Sequence, residues 1–373
     1  MIRVALLGLG KMGLSHCAII NTHPDIKLVA VCDTTEYLLS VLGKYSNIKT
    51  YSSYRKLLAE EELDAVFIAT PSRFHAEMAK AALDAGLHVF CEKPFCLDAE
   101  EGLKLAELAE KKNRVNQVGY HYRFVGTFHE MKHLLDAGVL GTLHHIRAEA
   151  FGPVVLRPKG RTWRTSKTEG GGCLHDYASH AIDLMNYLVG PPQAVGGTVM
   201  NRLFSGDVED EVYSNLFYAG SLSGQVSANW SDESQRKMAT KVSVWGTNGK
   251  IVADRQEMQI YFRAGAPEGF NKGWNSRYTT DLTEPVWFYL RGEEYSAQVS
   301  HFVETIKAGR MDTRSTFRSA VDTDLVLSAM VKDADRRIGA VARTSVMPET
   351  QPTPSSIASL LRRHGPRNLP ASA

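Results

Sequence analysis

No stretch of this chain approaches the roughly 20 consecutive apolar residues that a bilayer-spanning helix needs, so nothing in it reads as a membrane segment. The opening Met1-Ile2-Arg3-Val4-Ala5-Leu6-Leu7-Gly8 is too short an apolar run for a signal sequence and breaks into glycines without a cleavage-like site. It reads as a first β-strand, which makes the cytoplasm the default location. Cysteine is also scarce. Cys17, Cys32, Cys91, Cys96 and Cys173 are odd in number, scattered, and without paired C-x-x-C spacing. Neither a disulfide framework nor a metal site of zinc-ribbon type is expected, and most of these thiols read as small buried hydrophobes. Excess charge is lacking too: 43 Lys and Arg stand against 41 Asp and Glu, a net +2. Even that is local. Residues 339–373 hold Arg343, Arg362, Arg363 and Arg367 against Glu349, a net of +3, which leaves −1 for the body. A nucleic-acid partner calls for a basic field, and the chain offers none. Internal repeats are absent.

What is present suits a globular protein of two domains. The length of 373 residues exceeds one ordinary core, and 43% hydrophobic with 23% charged residues is the composition of a water-facing globular chain. Strand and helix alternate through the first third. The strands are Ile2–Leu7, Lys27–Cys32, Ala65–Ala69, His88–Cys91 and Val115–Val118; the helices are Lys11–Thr22, Glu36–Leu42, Tyr54–Ala59, Phe74–Ala85 and Ala99–Lys111. That spacing predicts an α/β fold with a doubly wound parallel sheet. After Tyr122 the character changes. A helix (Val125–Ala137), a strand (Leu143–Phe151), a glycine-bearing loop and a helix (Tyr177–Val189) precede the strands Ala194–Met200, Glu211–Phe217, Leu222–Ala228, Thr240–Gly246 and Lys250–Asp254. Helices Tyr295–Lys307 and Thr316–Arg337 follow. This predicts a mostly antiparallel sheet with helices on one side. The last stretch, 339–373, holds five of the 14 prolines and reads as a flexible tail.

Gly8-Leu9-Gly10-Lys11-Met12-Gly13 matches G-x-G-x-x-G between a strand and a helix. Glycines there allow a tight turn, close approach of a pyrophosphate and close helix–strand packing, and the helix N-terminus supplies N–H groups and dipole to the phosphates. Asp33 lies 20 residues past Gly13 at the end of the second strand, placed to accept hydrogen bonds from a ribose. Its carboxylate, followed by Thr34-Thr35 rather than arginine, favours NAD over NADP.

Two further motifs carry chemistry. Glu92-Lys93-Pro94 continues the strand His88–Cys91, and ligands of a wound sheet sit outside the carboxyl ends of its strands. Lys93 therefore points toward the nicotinamide crevice, where an ammonium can hold a substrate hydroxyl and ease its deprotonation. Gly170-Gly171-Gly172 opens a segment in which Asp176 and His180 stand four residues apart, on one face of a helix. A histidine of near-neutral pKa can take a carbinol proton while the aspartate orients it or binds a neighbouring hydroxyl. A zinc site from Cys173, His175, Asp176 and His180 would pack four ligands into eight residues, against the usual spacing, and no metal is expected. Arg157, Lys159, Arg161, Arg164 and Lys167, interrupted by Trp163, lead into these glycines. They suit an anionic sugar, such as a phosphate, uronate or nucleotide-linked form, or simply a solvated basic loop. Tyr122 and Arg123, beyond the last parallel strand, are further candidates to line the pocket.

The fingerprint, Ala69-Thr70-Pro71-Ser72-Arg73-Phe74-His75, Glu92-Lys93-Pro94 and the glycine-led D-x-x-x-H segment occur in an order that resembles the Gfo/Idh/MocA oxidoreductase family, over about residues 1–338. The resemblance implies a Rossmann domain (1–122) and an α/β domain (123–338) whose open sheet serves oligomer contacts, in a homodimer or homotetramer. It implies that Lys93 is the catalytic lysine, that Asp176 and His180 are its acid–base pair, and that Thr70, Pro71 and His75, with Glu92, lie on the cofactor side. Ala178 stands where the family commonly has glycine, a mild departure that removes no functional group. The implied activity is hydride transfer between NAD and a secondary hydroxyl of a sugar or cyclitol. An NAD-using glycosidase and a non-catalytic dinucleotide-binding regulator are the alternatives, the second disfavoured because Lys93, Asp176 and His180 are all present.

Overall fold

The computed structural model describes residues 1–156 and 163–344. Strands β1 (Ile2–Leu7), β2 (Ile26–Cys32), β3 (Lys49–Tyr51), β4 (Ala65–Ile68), β5 (His88–Cys91) and β6 (Asn116–Val118) form a parallel sheet in the order β3-β2-β1-β4-β5-β6. Helices α1 (Lys11–Thr22), α2 (Glu36–Tyr45), α3 (Tyr54–Glu60), α4 (His75–Asp84) and α5 (Ala99–Lys111) make the crossovers. Every residue of β4, and all but Arg3 of β1, is buried, which is why these strands read as unbroken apolar runs. The order of connection reverses between β1 and β4, so the crevice for a ligand lies at their carboxyl ends. Gly8 follows β1, Thr70 stands two residues beyond β4, and Glu92 follows β5, so the three motifs meet at one edge of the sheet.

Helix α6 (Gly126–Asp136) leads to the second sheet, built from β7 (Leu143–Phe151), β8 (Ala194–Asn201), β9 (Glu211–Phe217), β10 (Ser223–Asn229), β11 (Ala239–Gly246), β12 (Gly249–Ala253), β13 (Glu257–Phe262) and β14 (Gly273–Tyr278), in the order β14-β13-β12-β11-β7-β10-β9-β8. All its pairs are antiparallel except β7 with β10. The connection from β7 to β8, at the far edge of the sheet, carries the Gly170–His180 segment and helix α7 (Ser179–Val189), and the chain then returns through β9 to set β10 parallel beside β7. One face of the sheet is sealed by α6 and α7, with Phe128, Met131, Leu184 and Met185 packed in the same core as Ile146, Val226 and Val244. The opposite face presents half-buried and exposed positions such as Arg147, Gln225 and Lys241. Short helix α8 (Thr279–Leu282) precedes α9 (Glu293–Lys307) and α10 (Phe317–Thr344).

Helix α9 returns to the first sheet, where Phe302 sets its ring edge-on to Phe67 at 5.5 Å and joins the core around Val4, Leu6 and Phe90. Phe317 on α10 packs against Phe95 at 4.1 Å between ring centres. Residues Met1–Ala334 thereby form one compact unit. Three strands go beyond the sequence expectations. β3 and β14 are edge strands without a buried residue, so no apolar alternation marks them. β13 does bury Met258, Ile260 and Phe262 at period two. Helix α10 runs on to Thr344 instead of ending at Arg337; the expected tail from residue 345 onward lies outside the described residues. The five cysteines are buried free thiols. Among the described residues no helix is long and apolar enough to cross a membrane.

Candidate active site

The glycine fingerprint divides by physical reason. Gly8 has φ +95°, and a Cβ there would lie 2.6 Å from the Ala69 carbonyl oxygen. At Gly13 a Cβ would run into the Gly8 carbonyl, so both glycines are demanded by the protein's own backbone. At Gly10 a Cβ would meet nothing within 4 Å. Protein packing does not require glycine there, and the open space lies at the N-terminus of α1, whose Gly10 cap supplies no side chain to the first N–H groups. That is a cradle shaped for a phosphate. Lys11 and Met12 form the first turn beside it. Asp33 accepts from the Leu9 N–H at 2.6 Å and the Thr35 N–H at 2.8 Å. Burial pushes its pKa up, but these backbone donors outweigh burial and hold it below the ordinary value. A fixed negative charge at this point suits a ribose diol and repels a 2′-phosphate, so the residues present fit NAD.

The expected cofactor-side loop is braced from below. His75 is buried, with Nδ1 2.9 Å from the Pro94 carbonyl oxygen and Nε2 3.0 Å from that of Thr70. The ring thus sits between the loop after β4 and the lysine motif, and when neutral its one N–H donates to one of the two carbonyls. Thr70 directs its hydroxyl to the Met78 sulfur at 3.6 Å, and Pro71 is exposed at the mouth. Glu92 is buried. His16 of α1 holds its Oε1 at 2.7 Å, and the Lys93 N–H donates to its Oε2 at 3.2 Å. Burial raises the Glu92 pKa, but His16 prevails and keeps it below the ordinary value.

Lys93 crosses to the second motif. Its Nζ donates to the Asp176 carbonyl at 3.1 Å and to Asp176 Oδ1 at 3.0 Å, while Arg164 Nε donates to Oδ2 at 2.8 Å. Burial alone would push the Asp176 pKa up; the two cations overcome it and hold it at about 2. Asp176 lies in a π-helical turn, Leu174–Ala178, that runs directly into α7. The glycines before it are set by protein neighbours. A Cβ at Gly170 would lie 2.6 Å from Leu97 Cδ2, and Gly172, at φ +108°, would drive a Cβ into the Glu209 carboxylate. Glu209 Oε1 accepts the Leu174 N–H at 2.8 Å and its carbonyl accepts the Cys173 N–H at 3.0 Å, so one residue grips the start of the turn twice.

His180 is sealed among rings, 5.0 Å from both His121 and Tyr122 and 6.1 Å from Tyr120 between centres. Burial first, then the charges of Lys93, His121 and Arg255, press its pKa well below the ordinary value, where a near-neutral value was expected. Its Nδ1 is buried without a hydrogen bond. Asp176 gives its carboxylate to Lys93 and Arg164 and makes no hydrogen bond to His180, so the carboxylate orients the lysine rather than the imidazole. Among the described residues no group of His, Cys, Asp and Glu is arranged to hold a metal.

Lys93, Arg164, Asp176, His180 and Tyr122 are thus brought together, and Arg123 is placed apart. Its guanidinium is buried, bidentate to Asp183 at 2.6 and 2.9 Å, and donates to the Arg314 carbonyl at 2.6 Å and Ser319 Oγ at 3.2 Å. It ties α7 to α10, because a buried guanidinium requires a matching carboxylate. Tyr122 is in the core, edge-on to His180. Arg157, Lys159, Arg161 and the side chain of Trp163 lie outside the described residues, and Lys167 is exposed. Sequence reading missed Glu209, His16, and the Arg255–Glu294 ion pair whose arginine sits 5.8 Å from the Tyr122 ring centre. Of these only His16, one turn after Gly13 on a predicted helix, had a local signal.

Comparison with known proteins accords with this geometry. Residues 2–120 match an oxidoreductase family with an NAD-binding Rossmann fold, GFO_IDH_MocA, and residues 128–252 match the GFO/IDH/MocA C-terminal domain. An uncharacterized oxidoreductase, YrbE, of Bacillus subtilis is 30% identical over 256 residues, 67% of this chain and 72% of that protein. Levoglucosan dehydrogenase of Pseudarthrobacter phenanthrenivorans is 27% identical over 315 residues, 74% of this chain and 80% of that protein. A levoglucosan dehydrogenase solved in complex with NADH and levoglucosan superposes with a TM-score of 0.78 at 26% identity, covering 90% of this chain and 97% of that one. With both family domains matched in order along one chain, the protein belongs to the Gfo/Idh/MocA family of NAD-binding oxidoreductases.

Proposed function

We propose that this oxidoreductase interconverts a secondary hydroxyl and a ketone on a sugar or cyclitol ring, with Lys93 and His180 handling the proton. The observation that carries this reading is the contact of Lys93 with Asp176, 3.0 Å from Nζ to Oδ1, which joins the end of β5 to the crossover of the second sheet. The Gly8–Gly13 cradle and Asp33 would hold NAD, which would supply the acceptor for the hydride of the carbinol carbon. Lys93 donates a hydrogen bond to the carbinol oxygen and stabilises the negative charge that grows there as its proton leaves. Asp176, ionised and shared between Lys93 and Arg164, fixes where the ammonium points. His180 is neutral near neutral pH and accepts the proton; in the reverse direction it returns it. Asp176, held at about 2, is too weak a base for that part.

The finer reading is an anionic or nucleotide-linked sugar derivative. Arg164, with 38% of its side chain exposed, and Lys93 both reach Asp176, which places two cations at this point of the site. The assembly proposed is a homodimer or homotetramer through the open face of the second sheet. There Trp274, Tyr261, Lys250, Trp245 and His145 stand in one register row, with Tyr261 and Trp274 5.4 Å apart and Lys250 4.5 Å from the Trp245 ring centre. Light scattering that reports a monomer would remove the assembly.

Kinetics with NAD and NADP across neutral sugars, cyclitols and their phosphorylated or nucleotide-linked forms test the reaction and substrate class. Lys93→Ala should lower kcat by about 10³-fold and His180→Ala by about 10²-fold, with NADH still bound. Unchanged turnover in both variants sinks the mechanism. Clear preference for neutral substrates sinks only the anionic reading.

A further inference from the structure

The titratable side chains around the π-helical turn divide unequally. Asp176 and His180 are 5% and 3% exposed, and both Asp176 oxygens are engaged. His175, between Leu174 in the core and Asp176, is the half-buried member of the group. Its Nδ1 is buried and makes no hydrogen bond, while its Nε2 is not buried and pairs with no described residue. Burial and the Lys93 ammonium depress its pKa to about 4, and Lys93 is the one charge that bears on it among the described residues. The ring belongs to the residue just before Asp176, whose carbonyl and carboxylate both hold Lys93 Nζ, and it stays neutral through the neutral range. In a neutral imidazole Nε2 either donates or accepts, according to the tautomer, and a hydroxyl can answer it in either role. The mechanism above gives His175 no part, and its local surroundings provide no structural partner.

We propose that His175 is a specificity-determining residue whose Nε2 hydrogen-bonds a second hydroxyl of the sugar or cyclitol whose carbinol is held by Lys93. This rests on the reaction proposed above. A site built to pair with a hydroxyl rejects an analogue that lacks it, because the site's polar group is left unsatisfied. His175 would then select which ring hydroxyl faces Lys93 and discriminate between epimers.

The test is steady-state kinetics of the wild type and His175→Ala on the preferred substrate and its monodeoxy analogues, with NADH affinity followed by fluorescence. His175→Ala should raise KM about tenfold or more, with kcat within about threefold and NADH affinity unchanged. One deoxy analogue should show a similar KM rise with the wild type and little further rise with the variant. An unchanged KM overturns the proposal, as does a kcat loss on the scale of Lys93→Ala, which would make His175 a proton acceptor. If the variant fails to fold, the wild type decides: equal KM for all monodeoxy analogues other than that at the oxidised carbon overturns the proposal, and one raised KM upholds it. Unchanged turnover in both Lys93→Ala and His180→Ala would instead condemn the underlying reaction, so the two failures are separable.

Discussion

Two glycine-rich stretches each run into a helix, and they are glycine-rich for opposite reasons. In Gly8–Gly13 the middle glycine faces empty space, and the outer two are packed against Ala69 and each other, so the loop is closed on the protein side and open on the ligand side. In Gly170–Gly172 the glycines yield to protein neighbours: Leu97 occupies the space beside Gly170 and Glu209 that beside Gly172. The first stretch makes room for a cofactor. The second makes room for the side chains that hold the turn carrying Asp176. A glycine run before a helix is therefore not by itself evidence of a ligand; what a Cβ would meet decides.

Acid should separate the two regions most strongly. His121, His175 and His180 all surround the second, and burial lowers all three, to about 3 for His121, to about 4 for His175, and well below the ordinary value for His180. A histidine whose folded pKa lies below its unfolded value of about 6.5 binds protons preferentially when unfolded. Its contribution is intact above about pH 6.5 and is lost as pH falls toward the folded pKa. At 1.36 kcal/mol per pKa unit, His175 alone costs about 3 kcal/mol by pH 4. On the cofactor side Asp33 is held below the ordinary carboxylate value, and His75 is the buried imidazole that burial lowers there, so one histidine titrates on that side against three on the other. Thermal unfolding followed from pH 7.5 to 4 should show Tm falling steeply below 6.5. A flat profile down to pH 4.5 would mean the buried imidazoles are not kept neutral by the fold.

A smaller effect is expected from Gly172→Ala. At φ +108° an alanine is strained, and its Cβ must displace the Glu209 carboxylate from the Leu174 N–H. The loss in stability should be about 1–3 kcal/mol. Because the cap on the Asp176 turn goes with it, kcat should fall about tenfold or more while NADH affinity stays within about twofold. Loss of NADH binding in parallel with turnover would show that this stretch serves the cofactor after all, and the contrast would collapse.

How far these differences were legible follows from their range along the chain. The limits of β1, α1, β5 and α5 could be read because unbroken apolar runs, caps and the glycine fingerprint are local signals. Lys93, Asp176 and His180 stood out as candidates because each sits in a compact motif, and the structure brings the three together. Glu209 could not, since it reaches Leu174 from 35 residues away and nothing in its neighbourhood announces the contact. The pairing of Asp176 with Lys93, 83 residues apart, was equally invisible, so helical spacing suggested His180 as its partner instead. Arg123 shows the same limit: next to Tyr122 it resembled a pocket residue, but its partner Asp183 lies 60 residues on. Local chemistry marks which side chains matter, and tertiary pairing decides what each one does.

Gly10→Ala is the mildest change and the sharpest test of the contrast. Gly10 has φ −63° and ψ −175°, an extended conformation open to any residue, and a Cβ there meets no protein atom within 4 Å. Folded stability should therefore shift by no more than about 0.5 kcal/mol. The same Cβ stands where a pyrophosphate approaches the N–H groups of α1, so the dissociation constant for NADH should rise about tenfold, or about 1.4 kcal/mol. Calorimetric titration gives the affinity and thermal unfolding without cofactor gives the stability. If Tm drops with no change in NADH binding, Gly10 is a packing glycine like Gly170 and the two stretches are alike. If binding weakens while Tm holds, the empty space beside Gly10 belongs to the cofactor.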